Sequence, residues 1–145
     1  GAGADDTLTN VERLAFADRK LAFDANAQTT AKVLGAVFGR EAVANRDYAA
    51  IGLQLLDGGT RYADLMKLAL DARLGANASN DAVVTVLYTN VVGVAPGAAE
   101  LATFTGLIAA GQYTQATLGV LAADTAQLAN AINLTGLATS GLVYA

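Results

Sequence analysis

The sequence predicts a mainly α fold: a helical bundle of about six helices in two similar three-helix units, with a short N-terminal β-ribbon. Three observations carry this expectation. Apolar residues recur at helical spacing from residue 25 onward, glycines punctuate the periodic runs where helices would end, and the order of runs in the first half recurs in the second. With 145 residues, 54% of them hydrophobic, the chain is long enough to bury one core, and abundant Ala with a single Pro favours closely packed helices.

Residues 1–24 form the expected ribbon. Val11, Leu14, Phe16, Leu21 and Phe23 are spaced as in strands, and Asp18-Arg19-Lys20 supplies a polar turn between them. A two-stranded ribbon is marginal alone, so it is expected to pack on the helices or to extend a further sheet.

The first helical unit covers residues 25–75. Val33, Leu34, Val37 and Phe38 make a stripe ended by Gly39. A second helix is predicted from Asn45 to Asp57, with Tyr48, Ile51, Gly52 and Leu55 on its inner face and Gly58-Gly59 as its stop. Thr60 is the expected N-cap of a third, whose inner face carries Leu65, Leu68, Ala69 and Ala72 and which ends near Gly75.

A small polar linker leads to the second unit, residues 81–133. Val83, Val84, Leu87, Tyr88, Val91 and Val92 form its first stripe, ended by Gly93. Pro96 suits the opening of the next helix, with Leu101, Phe104, Leu107 and Ile108 inward and Gly111 after it. Thr114 is a further N-cap, before Leu118 and Leu121, and a last segment carries Leu128 and Ile132. Shifting the chain by 54 places Val37-Phe38-Gly39 on Val91-Val92-Gly93, and shifting by 53 places Ile51, Leu65, Leu68 and Asp71 on Phe104, Leu118, Leu121 and Asp124. The aligned glycine stops favour duplication over chance.

Residues 134–145 form an apolar tail with no charge. Two readings stand for it: docking on the bundle as a strand or turn, or export, since its uncharged, Thr/Ser/Gly-rich run is similar to the uncleaved C-terminal secretion signals of RTX proteins.

Net charge is −4, and all nine Lys and Arg precede Gly75; beyond it only Asp81, Glu100 and Asp124 are charged. This distribution argues against a nucleic-acid partner, which needs clustered basic residues. The uncharged run from Leu101 to Ala123 is broken by Gln112, Thr114 and Gln115, so no membrane span is expected. Residues 1–10 lack the basic and then apolar pattern of an export leader.

The chain has neither His nor Cys, which excludes imidazole acid–base chemistry, thiolate nucleophiles and zinc sites built on these residues. Its two serines, Ser79 and Ser140, fall in the linker and the tail. Asp57, Asp64 and Asp71 are spaced by seven, but Lys67 lies between the last two as a helical ion-pair partner, so a solvated face is favoured over a catalytic pair. Tyr88, Phe104 and Tyr113 invite comparison with a sugar-stacking surface, yet their spacing fits packing better.

The residues Leu87, Tyr88, Val92, Gly93, Pro96, Phe104, Ile108 and Gly111 follow a spacing that resembles a bacterial domain-of-unknown-function family found beside haemolysin-type (RTX) calcium-binding repeats. In the first unit Phe38, Gly39, Ile51, Leu55 and Gly58 follow the same frame. The segment from Asp6 to Asp18 is similar to the one that commonly follows the last RTX repeat.

The resemblance implies an extracellular or cell-surface, non-catalytic module of a secreted RTX-type protein, serving assembly, partner contact or type I export. It implies no cofactor of the module's own, with calcium supplied through adjoining repeats. Asp5, Asp6 and Asp24 are weak candidate metal ligands completed from such a neighbour. A carbohydrate- or protein-binding adhesion module is the alternative, with a protein, a surface polysaccharide or a second copy as partner. A carboxylate-based hydrolase is the remote one.

Overall fold

The computed structural model describes residues 13–15 and 20–145, apart from the side chains of residues 138 and 139. The chain is mainly α, with eight α-helices among the described residues and a small antiparallel sheet. The sheet runs in the order β1 (Arg13–Ala15), β2 (Lys20–Ala22) and β3 (Leu142–Tyr144). Leu14 is paired with Leu21, and Leu21 with Val143. The ribbon therefore finds its third strand at the chain's own C-terminal end. Val11, Phe16 and Asp18-Arg19 of the expected ribbon lie outside the described residues.

The first helix, α1 (Ala25–Phe38), is the centre of the bundle. Asp24 caps it by accepting the Ala27 N–H at 3.1 Å, and Gly39 ends it at φ 101°, where a side chain would be strained. Eight of its residues are buried, many of them Ala and Val, so neighbouring helices approach from several sides. A 3-10 turn (Arg40–Ala44) leads to α2 (Arg46–Asp57), whose first turn is capped by the Asn45 side chain.

The third helix, α3 (Tyr62–Leu74), begins after Arg61, not after a Thr60 cap as the sequence suggests. Thr60 instead closes the end of α2, donating its N–H to Leu55 O at 3.0 Å across the Gly58-Gly59 turn.

The next three helices are α4 (Asn80–Val92), α5 (Ala98–Ala109) and α6 (Gln115–Ala123). Ser79, assigned to a linker from sequence, is the N-cap of α4 and accepts the Ala82 N–H. Gly93 caps its other end in the left-handed conformation. Pro96 does not open α5 but stands just before its N-cap Gly97. Thr114 caps α6 as expected, in a reciprocal box with Thr117.

The tail is more structured than its composition indicates. Helices α7 (Ala126–Ala131) and α8 (Leu134–Ser140) precede β3, and Leu142 is buried at 1% exposure. Leu128 and Ile132 are buried as expected, Ile132 meeting α1 where Gly35 leaves no side chain in its way.

Two contacts between helices join residues that stand 54 or 53 apart in sequence. Asn90 Nδ2 donates to the Ala36 carbonyl at 2.8 Å across the contact of α1 with α4, and these residues are 54 apart. Where α3 packs on α6, a Cβ at Gly119 would lie 2.6 Å from Met66 Cγ, so the two helices touch through the missing side chain. Gly119 is Met66 shifted by 53.

Several inner faces differ from expectation. Tyr48 and Ile51 of α2, Leu68 of α3, Val92 of α4 and Leu121 of α6 were all placed inward by periodicity, yet each is exposed. The residues buried on α2 are Ala49, Gly52 and Leu53, and those on α3 are Leu65, Met66 and Leu70.

Candidate functional site

Five of the six large apolar residues exposed on the described surface are gathered in two grooves. One, about 180 Å³, lies among α1, α2 and α3; the other, about 360 Å³, lies among α4, α5 and α6 and reaches Thr125 and Gln127. Their walls correspond. Val33, Leu34 and Phe38 in the first stand where Leu87, Tyr88 and Val92 stand in the second, 54 residues on. Ile51, Leu65, Leu68, Ala69 and Ala72 correspond to Phe104, Leu118, Leu121, Ala122 and Thr125, 53 residues on.

The floors are core residues, since Val33, Leu34, Leu65, Leu87 and Leu118 are all buried, and the rims are open. Tyr48 (42% exposed), Ile51 (54%) and Leu68 (49%) edge the first groove; Val92 (41%) and Leu121 (43%) edge the second. Neither wall includes an Asp, Glu, Lys or Arg. An aromatic pair flanks each groove: Phe38 and Tyr48 lie 5.1 Å apart with rings tilted by 47°, and Tyr88 and Phe104 lie 6.2 Å apart at 55°.

One polar atom is stranded in the first wall. Thr30 Oγ1, on a residue 1% exposed, has no hydrogen-bond partner, and Gly52 presses so close that a Cβ there would lie 2.7 Å from Thr30 Cγ2. The second groove has Val84 at the corresponding place.

The residues of the sequence motif divide between packing and punctuation. Leu87 is buried, Tyr88, Phe104 and Ile108 are half-buried, and Gly93 and Gly111 have positive φ at helix ends. Tyr113 packs half-buried against the core. The motif thus brings Leu87, Tyr88 and Phe104 together in one groove and leaves Pro96 and Gly111 at the ends of α5.

Several charged groups have structural partners. Arg13 reaches both Asp24, through Nε at 3.2 Å and Nη2 at 2.7 Å, and Asp57, through Nη1 at 2.8 Å and Nη2 at 2.9 Å. The Arg13 hydrogen bonds, with a further one from Asn26, hold the Asp57 carboxyl down at about 2. Asp24, a candidate metal ligand from sequence, is occupied as helix cap and ion-pair partner. Asp5 and Asp6 lie outside the described residues. Among the described residues no group of three or more metal-ligating side chains converges.

Lys32 Nζ and the Tyr62 hydroxyl both donate to Asp124 Oδ1, at 3.2 and 3.0 Å, tying α1 and α3 to the end of α6. Burial first, and Asp124 second, push the Tyr62 phenol above its ordinary range. Asp71 accepts from Lys67 at 2.8 Å, as the helical spacing predicts. Asp64 is exposed in the first turn of α3, so the seven-residue carboxylate series does not converge.

The grooves themselves were not singled out from sequence. Their signal lies in the offset comparison, as positions apolar at both ends of the 53- or 54-residue shift, but periodicity alone assigns those positions to the core. Among the described residues no helix is long and apolar enough to cross a membrane. Comparisons with protein-family models, with curated proteins and with solved structures find no match to this chain.

Proposed function

We propose that the chain is a non-catalytic binding module of a secreted, RTX-type bacterial surface protein, built from a duplicated three-helix unit and serving assembly, partner contact or export. One observation carries the binding part. Of six large apolar residues exposed on the described surface, five edge the two grooves, and only Val94 lies apart. Scattered exposed apolar residues need no explanation, whereas their concentration in concave, uncharged places marks contact sites.

Duplication draws support from the wall correspondence and from the contacts Ala36–Asn90 and Met66–Gly119. Residues near a two-fold axis meet their own counterparts, as in a dimer interface, and these pairs do so within one chain. The non-catalytic reading draws on the carboxylates: Asp24, Asp57, Asp71 and Asp124 are each held by a cation or a hydroxyl, and neither groove wall contains one. The paired β3 favours docking over export as the tail's role. The RTX association rests on the motif from Leu87 to Gly111.

The gene around this segment tests that association. Gly-Gly-x-Gly-x-Asp nonapeptides encoded in the same reading frame are the expected result, and their absence would overturn it. A carbohydrate-binding module is the second reading, favoured by the exposed Tyr48 ring. A glycan array on the intact chain, with Tyr48→Ala as control, checks it: saturable binding lost in the variant is its expected outcome.

A further inference from the structure

We propose that the two grooves are twin sites for small, neutral, apolar molecules, each the size of a single ring or a short branched chain. This deepens the reading of the grooves as contact sites and is independent of the RTX association.

The first argument is the position of the exposed leucines. Leu68 and Leu121 are 49% and 43% exposed, at corresponding places on α3 and α6. A packing role asks for buried leucines, and the floor residues Leu65 and Leu118 already fill it at 5% and 4% exposure. An apolar rim residue present twice, and wetted twice, fits a surface that an apolar occupant covers.

Charge selects the occupant. With no ionisable carboxylate, ammonium or guanidinium in either wall, a charged ligand would lose its hydration and gain no partner. Size narrows it further. An apolar cavity of about 150 Å³ accepts benzene, so the first groove at about 180 Å³ and the second at about 360 Å³ each have room for one ring or a short branched chain. A second copy of the chain would need a continuous interface of about 1,200–2,000 Å². The grooves are separate concavities with no lining residue in common.

Methyl NMR of the intact chain titrated with toluene tests the proposal, with benzoate as the charged counterpart of the same shape. Saturable shifts are expected at Leu65 and Leu68 and, separately, at Leu118 and Leu121, with benzoate at least tenfold weaker. Leu68→Asp should abolish the first set alone and Leu121→Asp the second alone. Where either variant fails to fold, Leu68→Ala and Leu121→Ala should weaken the corresponding set selectively. Shifts that rise linearly over the whole surface, equal binding of benzoate, or loss of both sets in a single folded variant would overturn it.

Discussion

Helices α2 and α5 align in sequence at an offset of 53 residues and are treated differently by the rest of the chain. The first buries Ala49, Gly52 and Leu53 and packs on α1, α3, the 3-10 turn and β3; the second has no buried residue and packs chiefly on α4. Yet α5 is the more apolar in sequence, with Glu100 its only charge. Contact density here follows what the termini cover, not how apolar the helix is.

Three local differences account for it. Gly52 lets α2 close on Thr30, whereas Thr105 stands at the corresponding position of α5 and turns its hydroxyl back to the Leu101 carbonyl at 2.8 Å. Asp57, at the end of α2, is pinned by Arg13 from β1; Ala110 stands at its counterpart. The strand β3 lies along α2, with the Ala145 N–H donating to the Arg46 carbonyl at 3.0 Å. The second groove is wider because only Phe104 of α5 reaches its wall, against four α2 residues in the first.

The comparison breaks if the two helices respond alike to truncation. Leu53→Ala should cost about 2–5 kcal/mol through the sealed cavity it leaves, and Leu107→Ala on α5 less than about 1 kcal/mol, as measured by urea denaturation.

Exchanging the contact residue is the next test. Gly52→Thr should lower stability by about 1–3 kcal/mol as α2 is forced away from Thr30, while Thr105→Gly should cost under about 1 kcal/mol, the helix penalty of glycine alone. Thermal unfolding of both variants checks the asymmetry.

Thr30→Val copies Val84 into the first unit and removes a buried hydroxyl without a partner. Stabilisation by about 1 kcal/mol is expected in the same assay.

The smallest effect concerns acid. Asp57 is held at about 2 in the fold, below an unfolded value of about 4, so its contribution is present above about pH 4. It is lost as pH falls toward 2. Because the carboxylate is 45% exposed, screening keeps the contribution below about 1 kcal/mol. Asp57→Asn should flatten the acid limb of a pH-dependent denaturation series, and no equivalent change is expected at Ala110.

Much of this architecture was legible in the chain. The ends at Gly39, Gly58-Gly59, Gly75 and Gly93 follow from glycine's freedom at helix termini, and the Thr114 cap from a side-chain oxygen near unpaired N–H groups. Misplacements came where a local signal served a neighbour: Thr60 closes α2 instead of opening α3, and Ser79 opens α4 from within an apparent linker. The grooves were illegible for a different reason. An apolar residue on a helical stripe has the same periodicity whether another helix covers it or solvent does, so Leu68 and Leu121 could not be told from Leu65 and Leu118.

The sequence by itself determined the helical class and most helix ends, because these depend on backbone chemistry within a few residues of each site. Only the tertiary structure decided that the C-terminal end supplies the third strand, that Arg13 holds α2, and that five apolar residues remain open on two grooves. The first two outcomes depend on pairings across 44 or more residues, as between Arg13 and Asp57, and the third on which helix covers an apolar face; no local pattern encodes either.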